Sequence, residues 1–256
     1  MLHYYDNFKP RNMRNIYKYV CLIFLPMANI ASAQDYHLSH YDVAALYMNP
    51  AMTGMYGYKE GDYKIYSVYR SQWKAISSKP FTSTYLAYDR PFKKWNKTFG
   101  LGGYLINSKA GAGQFGTLNC MFSAAYDITN NAEGKHYLTT GLQMGILNKQ
   151  FNPFTITYDV QYSPSIGGFD PNIPNQENFS RASILRFDAN IGIFYKYIEK
   201  EQKVHPLFGF SIQHVTKPNE SFSSIKSRSP MRFNIQTGFD MKIEPKINVC
   251  ARFLYM

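Results

Sequence analysis

Met231-Arg232-Phe233-Asn234-Ile235-Gln236-Thr237-Gly238-Phe239-Asp240-Met241-Lys242-Ile243 alternates without a break: the odd positions are Met, Phe, Ile, Thr, Phe, Met and Ile, and the even ones are all polar, charged or Gly. Successive side chains of a β-strand point to opposite faces, so one face of this segment is apolar and the other carries charge. Residues 185–197 repeat the pattern, with Leu185, Phe187, Ile191 and Ile193 set against Arg186, Asp188, Asn190 and Lys196. Residues 247–255 make a third case, and 118–126 and 138–146 alternate with smaller residues on the polar face. Weaker examples fall at 63–69, 81–89, 99–106 and 208–215, which brings the expectation to nine strands and no helix.

Several of these segments exceed the five or six residues typical of soluble sheets and match the roughly 9–11 tilted residues that span a bilayer. A soluble sandwich shares the same periodicity, so the connections must help. Counting from residue 61, those near 92–97, 128–135, 199–204 and 244–245 share one end and are all short. Those near 73–80, 107–114, 149–184 and 217–230 share the other end and include both long ones. Short periplasmic turns opposite longer outer loops are the layout of an outer-membrane barrel. Tyr residues such as Tyr56, Tyr58, Tyr63, Tyr195, Tyr197 and Tyr255 sit near strand ends, as an interfacial girdle requires. The expected fold is all-β: a transmembrane antiparallel up-and-down barrel of the outer membrane over 61–256. A nine-strand total is odd where single-chain bacterial barrels are even, so either the count is off by one or C-terminal strands are lacking.

Composition agrees with this class. The 256 residues are 18% charged and 17% aromatic, with 22 Tyr and 19 Phe against 2 Trp. Three Cys cannot build a disulfide framework. The net charge of +11 admits a basic lumen, an anionic surface or nucleic acid, but alternation and export both speak against the last. Export is read from the N-terminus: Arg11, Arg14 and Lys18 precede an apolar run over 19–28 and then Ala31-Ser32-Ala33, the layout of a secretory signal peptide over 1–33. Met13 offers an alternative start. The run is interrupted by Pro26 and falls short of the roughly 20 residues that a membrane-crossing helix needs.

No catalytic, cofactor-binding or metal set emerges, and an enzyme is not expected. His37 and His40 have helical i, i+3 spacing but no companion cysteine or carboxylate cluster. His136, His205 and His214 fall near predicted strand ends without a nucleophile motif beside them. Gly100–Gly103 and Gly111–Gly113 complete no phosphate-binding pattern and read as close strand contacts and a hairpin turn. The oxygen-rich loop at Asp170, Asn172, Asn175, Gln176, Glu177 and Asn178 lacks the regular spacing of a calcium hand. Inward Arg186, Lys196, Arg232, Lys242 and Arg252 are partly offset by Asp188 and Asp240, the ordinary charge pairing of a lumen or the lining of an anion pore.

Certain segments also resemble a known family. Tyr47-Met48-Asn49-Pro50-Ala51-Met52-Thr53-Gly54, Tyr69-Arg70-Ser71-Gln72-Trp73 and Tyr88-Asp89-Arg90-Pro91-Phe92 occur in that order. They are followed by Gly100-Leu101-Gly102-Gly103, Phe187-Asp188-Ala189-Asn190-Ile191-Gly192 and His214-Val215-Thr216-Lys217-Pro218-Asn219. Together they resemble the PorP/SprF family of outer-membrane proteins of the type IX secretion and gliding-motility system of Bacteroidetes. Family members generally continue through further strands, so the resemblance implies a C-terminally shortened representative. It also implies a non-enzymatic component in contact with outer-membrane lipid, a periplasmic ring, a peptidoglycan-associating linker protein and a secreted adhesin or C-terminal-domain substrate. In that picture the barrel presents the 149–184 loop outside and the periplasmic segment 34–60 at its mouth. The alternative reading is a small-solute or anion porin.

Overall fold

The computed structural model describes residues 41, 43–55, 62–76, 79–95, 97–111, 113–129, 135–177, 181–199, 202–244 and 247–256. The leader expected over 1–33, His37, His40, Tyr56, Tyr58 and Asn178 lie outside the described residues. Nine antiparallel strands form one sheet in chain order: β1 (Lys64–Gln72), β2 (Phe81–Lys94), β3 (Lys97–Ala110), β4 (Phe115–Asp127), β5 (His136–Gln150), β8 (Ser183–Tyr197), β9 (Val204–Gln213), β10 (Arg232–Glu244) and β11 (Ile247–Tyr255). A two-residue hairpin, β6 (Tyr162–Ser163) with β7 (Gly168–Phe169), interrupts the long connection between β5 and β8. The sheet curls into a half-barrel, and among the described residues no helix is long and apolar enough to cross a membrane.

All nine expected strands are present, several of them longer than their periodicity showed. β2 runs on through Pro91, and β9 begins before Pro206. Proline removes a ladder donor, and both prolines sit where one neighbour is missing. The β1–β2 ladder stops at Lys64↔Asp89, and the β8–β9 ladder stops at Lys196↔Leu207. Each proline is left with a single partner strand, so the lost N–H disrupts nothing. The strand expected over 208–215 ends at Gln213, and the chain leaves β9 as a turn, with His214 and Lys217 at positive φ.

The two faces are inverted relative to a soluble protein. Phe122, Leu142, Phe187, Ile191, Phe208 and Phe233 stand exposed on the convex side, whereas Asp89, Gln143, Asp188, Asn190, Ser211 and Asn234 are buried on the concave side. A sandwich would reverse this arrangement, because burying the polar row and wetting the apolar one loses both hydrophobic and hydrogen-bond free energy. The chain solves the problem of a lipid solvent: apolar residues face outward, and polar groups face the concave side. The short connections, between Lys94 and Lys97, Asp127 and His136, Tyr197 and Val204, and Glu244 and Ile247, share one end. The connection from Gln150 to Ser183 and that from Gln213 to Arg232 share the other.

Candidate functional site

The concave face is occupied by the protein's own chain. Residues 44–54 form a single helical turn, α1 (Ala45–Met48), then a 3₁₀ turn (Pro50–Met52), and are almost entirely buried. Asn49 links the two turns: its Oδ1 accepts from the Ala51 amide at 2.9 Å, while its Nδ2 donates to the Ile193 carbonyl of β8 at 2.9 Å. Pro50 at the first position of the 3₁₀ turn supplies a preset φ and lacks a donor that would otherwise need a partner.

Irregular backbone inside a membrane protein survives only if each carbonyl finds a donor, and here the sheet wall provides the donors that the turns do not. Leu46 O accepts from Gln143 Nε2 at 2.6 Å, Tyr47 O from Gln213 Nε2, and Met48 O from Ser211 Oγ at 2.6 Å and Asn234 Nδ2 at 3.0 Å. Ala51 O accepts from Thr139 Oγ1 at 2.7 Å. The remaining carbonyls from Ala44 to Pro50 are met locally, by Met48 N, Asn49 N, Met52 N and the hydroxyl of Thr53. At the far end the Gly54 amide donates to Asp89 Oδ2 at 2.6 Å, and Thr53 bonds Ser123.

Two rows of cross-strand partners make the seat. Pro91, Gly100, Ala125, Gly141, Gly192, Ser211 and Asn234 are successive partners from β2 to β10. This row of small side chains is a trench. A Cβ on Gly100 would lie 1.7 Å from Thr53 O, one on Gly141 2.3 Å from Ala51 N, and one on Gly192 2.2 Å from Asn49 Oδ1. The neighbouring row holds Asp89, Gly102, Ser123, Gln143 and Asn190 in register, and Gln213 opposite Arg232. Its side chains are the donors and acceptors that grip residues 46–54. Arg232 closes the row by donating to Tyr47 Oη at 2.9 Å and standing 4.8 Å from the centre of that ring.

Of the inward charges expected from the sequence, Lys196, Arg252 and Asp240 form one ion-paired cluster. Asp240 accepts from Lys196 at 2.7 Å and from Arg252, and Arg186 Nε donates to the Asn219 carbonyl at 2.8 Å. At the long-loop end the segment after β9 reaches across to β4 and β5. Phe222 meets Phe115 and Phe151 edge-on at 5.8 and 4.8 Å, and Glu220 pairs with Lys149.

The histidines do not converge, since His136 and His205 enter their strands at the short-connection end and His214 leaves β9 at the other. His214 Nδ1 lies 2.5 Å from Asp188 Oδ2, a pairing that the linear pattern did not show, and Thr216 Oγ1 donates to Asp188 Oδ1 at 2.9 Å. This hydroxyl is directed at the carboxylate, which suits a fastened turn and not a nucleophile activated by the imidazole. In the oxygen-rich loop, Asp170 Oδ1 accepts from the Asn172 amide and side chain, and Asn175 Oδ1 from the Glu177 amide. Among the described residues no three His, Cys, Asp or Glu gather as metal ligands. Outside the sheet, Glu199 is held below the ordinary carboxylate value by the hydrogen bond donated by Tyr197 and then by Lys135, 3.0 Å away.

The residues that do the seating, Thr139, Gln143, Ser211, Gln213 and Asn234, were not singled out by any motif. The one available signal was the Asn49-Pro50-Ala51 stretch, which is too short and apolar for a solvated linker. No curated protein and no solved structure matches the chain. A family model described as type IX secretion system membrane protein PorP/SprF matches residues 30–256, and the chain belongs to that family.

Proposed function

We propose that the protein works in the outer membrane as a non-enzymatic accessory of type IX secretion and gliding motility, exported by the 1–33 leader in a Bacteroidetes cell. In this role it assists export or surface attachment of an adhesin-type substrate, and it contacts the periplasmic ring and a peptidoglycan-associating linker protein on the inner side. The observation that carries this reading, beyond family membership, is the segment seated on the concave face. A wall whose glycines and amides are committed to residues 46–54 suits a rigid scaffold that acts by contact more than the unobstructed lumen of a porin. Co-purification from native membranes with a periplasmic ring and a large surface adhesin is the expected outcome, together with the absence of a steady conductance in planar bilayers. A substrate-independent open pore, with no secretion component retained, would turn the assignment toward the porin.

A further inference from the structure

The convex wall holds one residue at odds with its surroundings. Arg90 faces outward on β2 opposite Leu101 and is exposed. Among the described residues it is the only charged side chain that faces outward away from the strand ends. An arginine on a barrel's lipid face costs about 2–4 kcal/mol at the midplane and about 0–1 near the interface. Arg90 lies within the last turns of β2, which ends at Lys94. At about 3.4 Å per residue and a tilt near 45°, it sits roughly 10 Å below the strand end, within reach of headgroup depth for a snorkelling guanidinium.

Three features beside Arg90 point to what its charge is for. A depression of about 610 Å³ is lined by Tyr88, Arg90, Phe92, Leu101, Gly103 and Phe122. It exists because Gly103 leaves a gap between its register partners Tyr88 and Phe122. Those two strands flank β3 at about 9.6 Å from each other, which leaves between the rings a channel suited to one hydrocarbon chain. Above it, Lys94 and Lys97 are cross-strand partners on the same outward face. Trp95, 81% exposed, carries Lys94 Nζ 4.4 Å over its ring. Among the described residues no carboxylate pairs with Arg90, Lys94 or Lys97. An apolar slot that runs up to three uncompensated cations, with a tryptophan at the water boundary, is complementary to an amphiphile with a negative head.

We propose that the outer wall of β2–β4 binds an anionic glycerophospholipid, with an acyl chain over Gly103 between Tyr88 and Phe122, the phosphate on Arg90 and the headgroup toward Lys94 and Lys97. The site rests on the lipid-facing convex wall and is independent of the secretion role.

Native mass spectrometry of the full chain in detergent, titrated with phosphatidylglycerol or phosphatidylethanolamine, tests it. Phosphatidylglycerol is expected to be retained one per chain and more tightly than phosphatidylethanolamine. Arg90→Gln is expected to weaken that retention about tenfold, the loss for one charge-assisted contact, while Lys226→Gln in the exposed loop leaves it unchanged. Heat-modifiable mobility verifies that Arg90→Gln folds. Equal affinity for both lipids, unaltered binding by Arg90→Gln, or an equal loss with Lys226→Gln overturns the proposal. In the wild-type chain, a photoreactive phosphatidylglycerol should label peptides spanning 88–103. Labelling spread evenly round the convex wall, or cross-linking of a second polypeptide through a photoreactive group at residue 101, overturns it too.

Discussion

Gly192 and Asn49 are interlocked: any Cβ on the β8 glycine would lie 2.2 Å from the Oδ1 that holds the Ala51 amide. The bare backbone of one strand therefore admits the side chain that ties the Asn49-Pro50-Ala51 turn to the wall. Gly192→Ala must push Asn49 away and break its bond to Ile193 O. We expect a loss of about 1–3 kcal/mol from overpacking, read as an earlier urea midpoint in lipid vesicles. Gly141→Ala, against the backbone of Pro50 and Ala51, should behave likewise, and both variants should open residues 44–54 to protease.

Gln143 is fully buried and serves two partners, donating to Leu46 O and accepting from Asn190 Nδ2 at 3.1 Å. Gln143→Leu keeps the volume but orphans a carbonyl and an amide at once. About 1–3 kcal/mol is expected for each buried group left unpaired, so this variant should unfold before Thr139→Val, which removes one hydroxyl donor shared by Ala51 O and, more weakly, Phe194 O. Equal stability of the two would show that the segment is held by packing alone.

Asp240 receives both Lys196 and Arg252. Asp240→Asn leaves two cations facing one neutral amide, and a loss of about 1.5–3 kcal/mol is expected, less whatever their partial exposure lets water recover. Replacing Lys196 by Met in the same background should restore part of it, a coupling that a double-mutant cycle measures.

The inverted faces make a charge scan decisive. Phe187→Arg on the convex side should cost about 2–4 kcal/mol if it lies near mid-membrane. A lipid-soluble photoprobe should tag Phe233 and Phe239 and spare Arg232 and Asp240. The opposite labelling pattern would mean that the polar row faces outward.

Glu199 supplies a pH signature at the short-connection end. Its folded pKa is depressed by Tyr197 and Lys135, so its stabilising effect is present above the ordinary value of 4.5 and fades as the pH falls through the lower folded value. Tyr197→Phe removes the donated hydrogen bond and should move the Glu199 carboxyl resonance titration upward toward that ordinary value. An unmoved titration would show that the hydroxyl makes no such bond.

How much of this was written in the linear chain depends on the range of the physics involved. Alternation is local: two neighbouring residues already point apart, so 231–243 and 185–197 declare a strand and its two faces without reference to anything distant. The strand at 63–69 was fainter because Tyr66 and Val68 share a face with Lys64, and the full lengths of β1 and β9 came from pairing partners. The order of strands was also legible, since short connections favour neighbouring antiparallel pairs.

The seat for residues 44–54 belongs to another scale. Gly100, Gly141 and Gly192 look like scattered glycines in the sequence, and become one trench only when three successive registers, through Ala125, bring them into one row. Gln143, Gln213 and Asn234 are polar members of alternating strands like many others until the curl of the sheet aims them at three consecutive carbonyls, those of Leu46, Tyr47 and Met48. The sequence by itself determined which residues share the apolar face and which share the polar one, because that choice repeats every two residues. Only the tertiary structure decided what fills that interior and where Arg90 meets its slot, because register and curvature are summed over pairings between residues far apart in the chain.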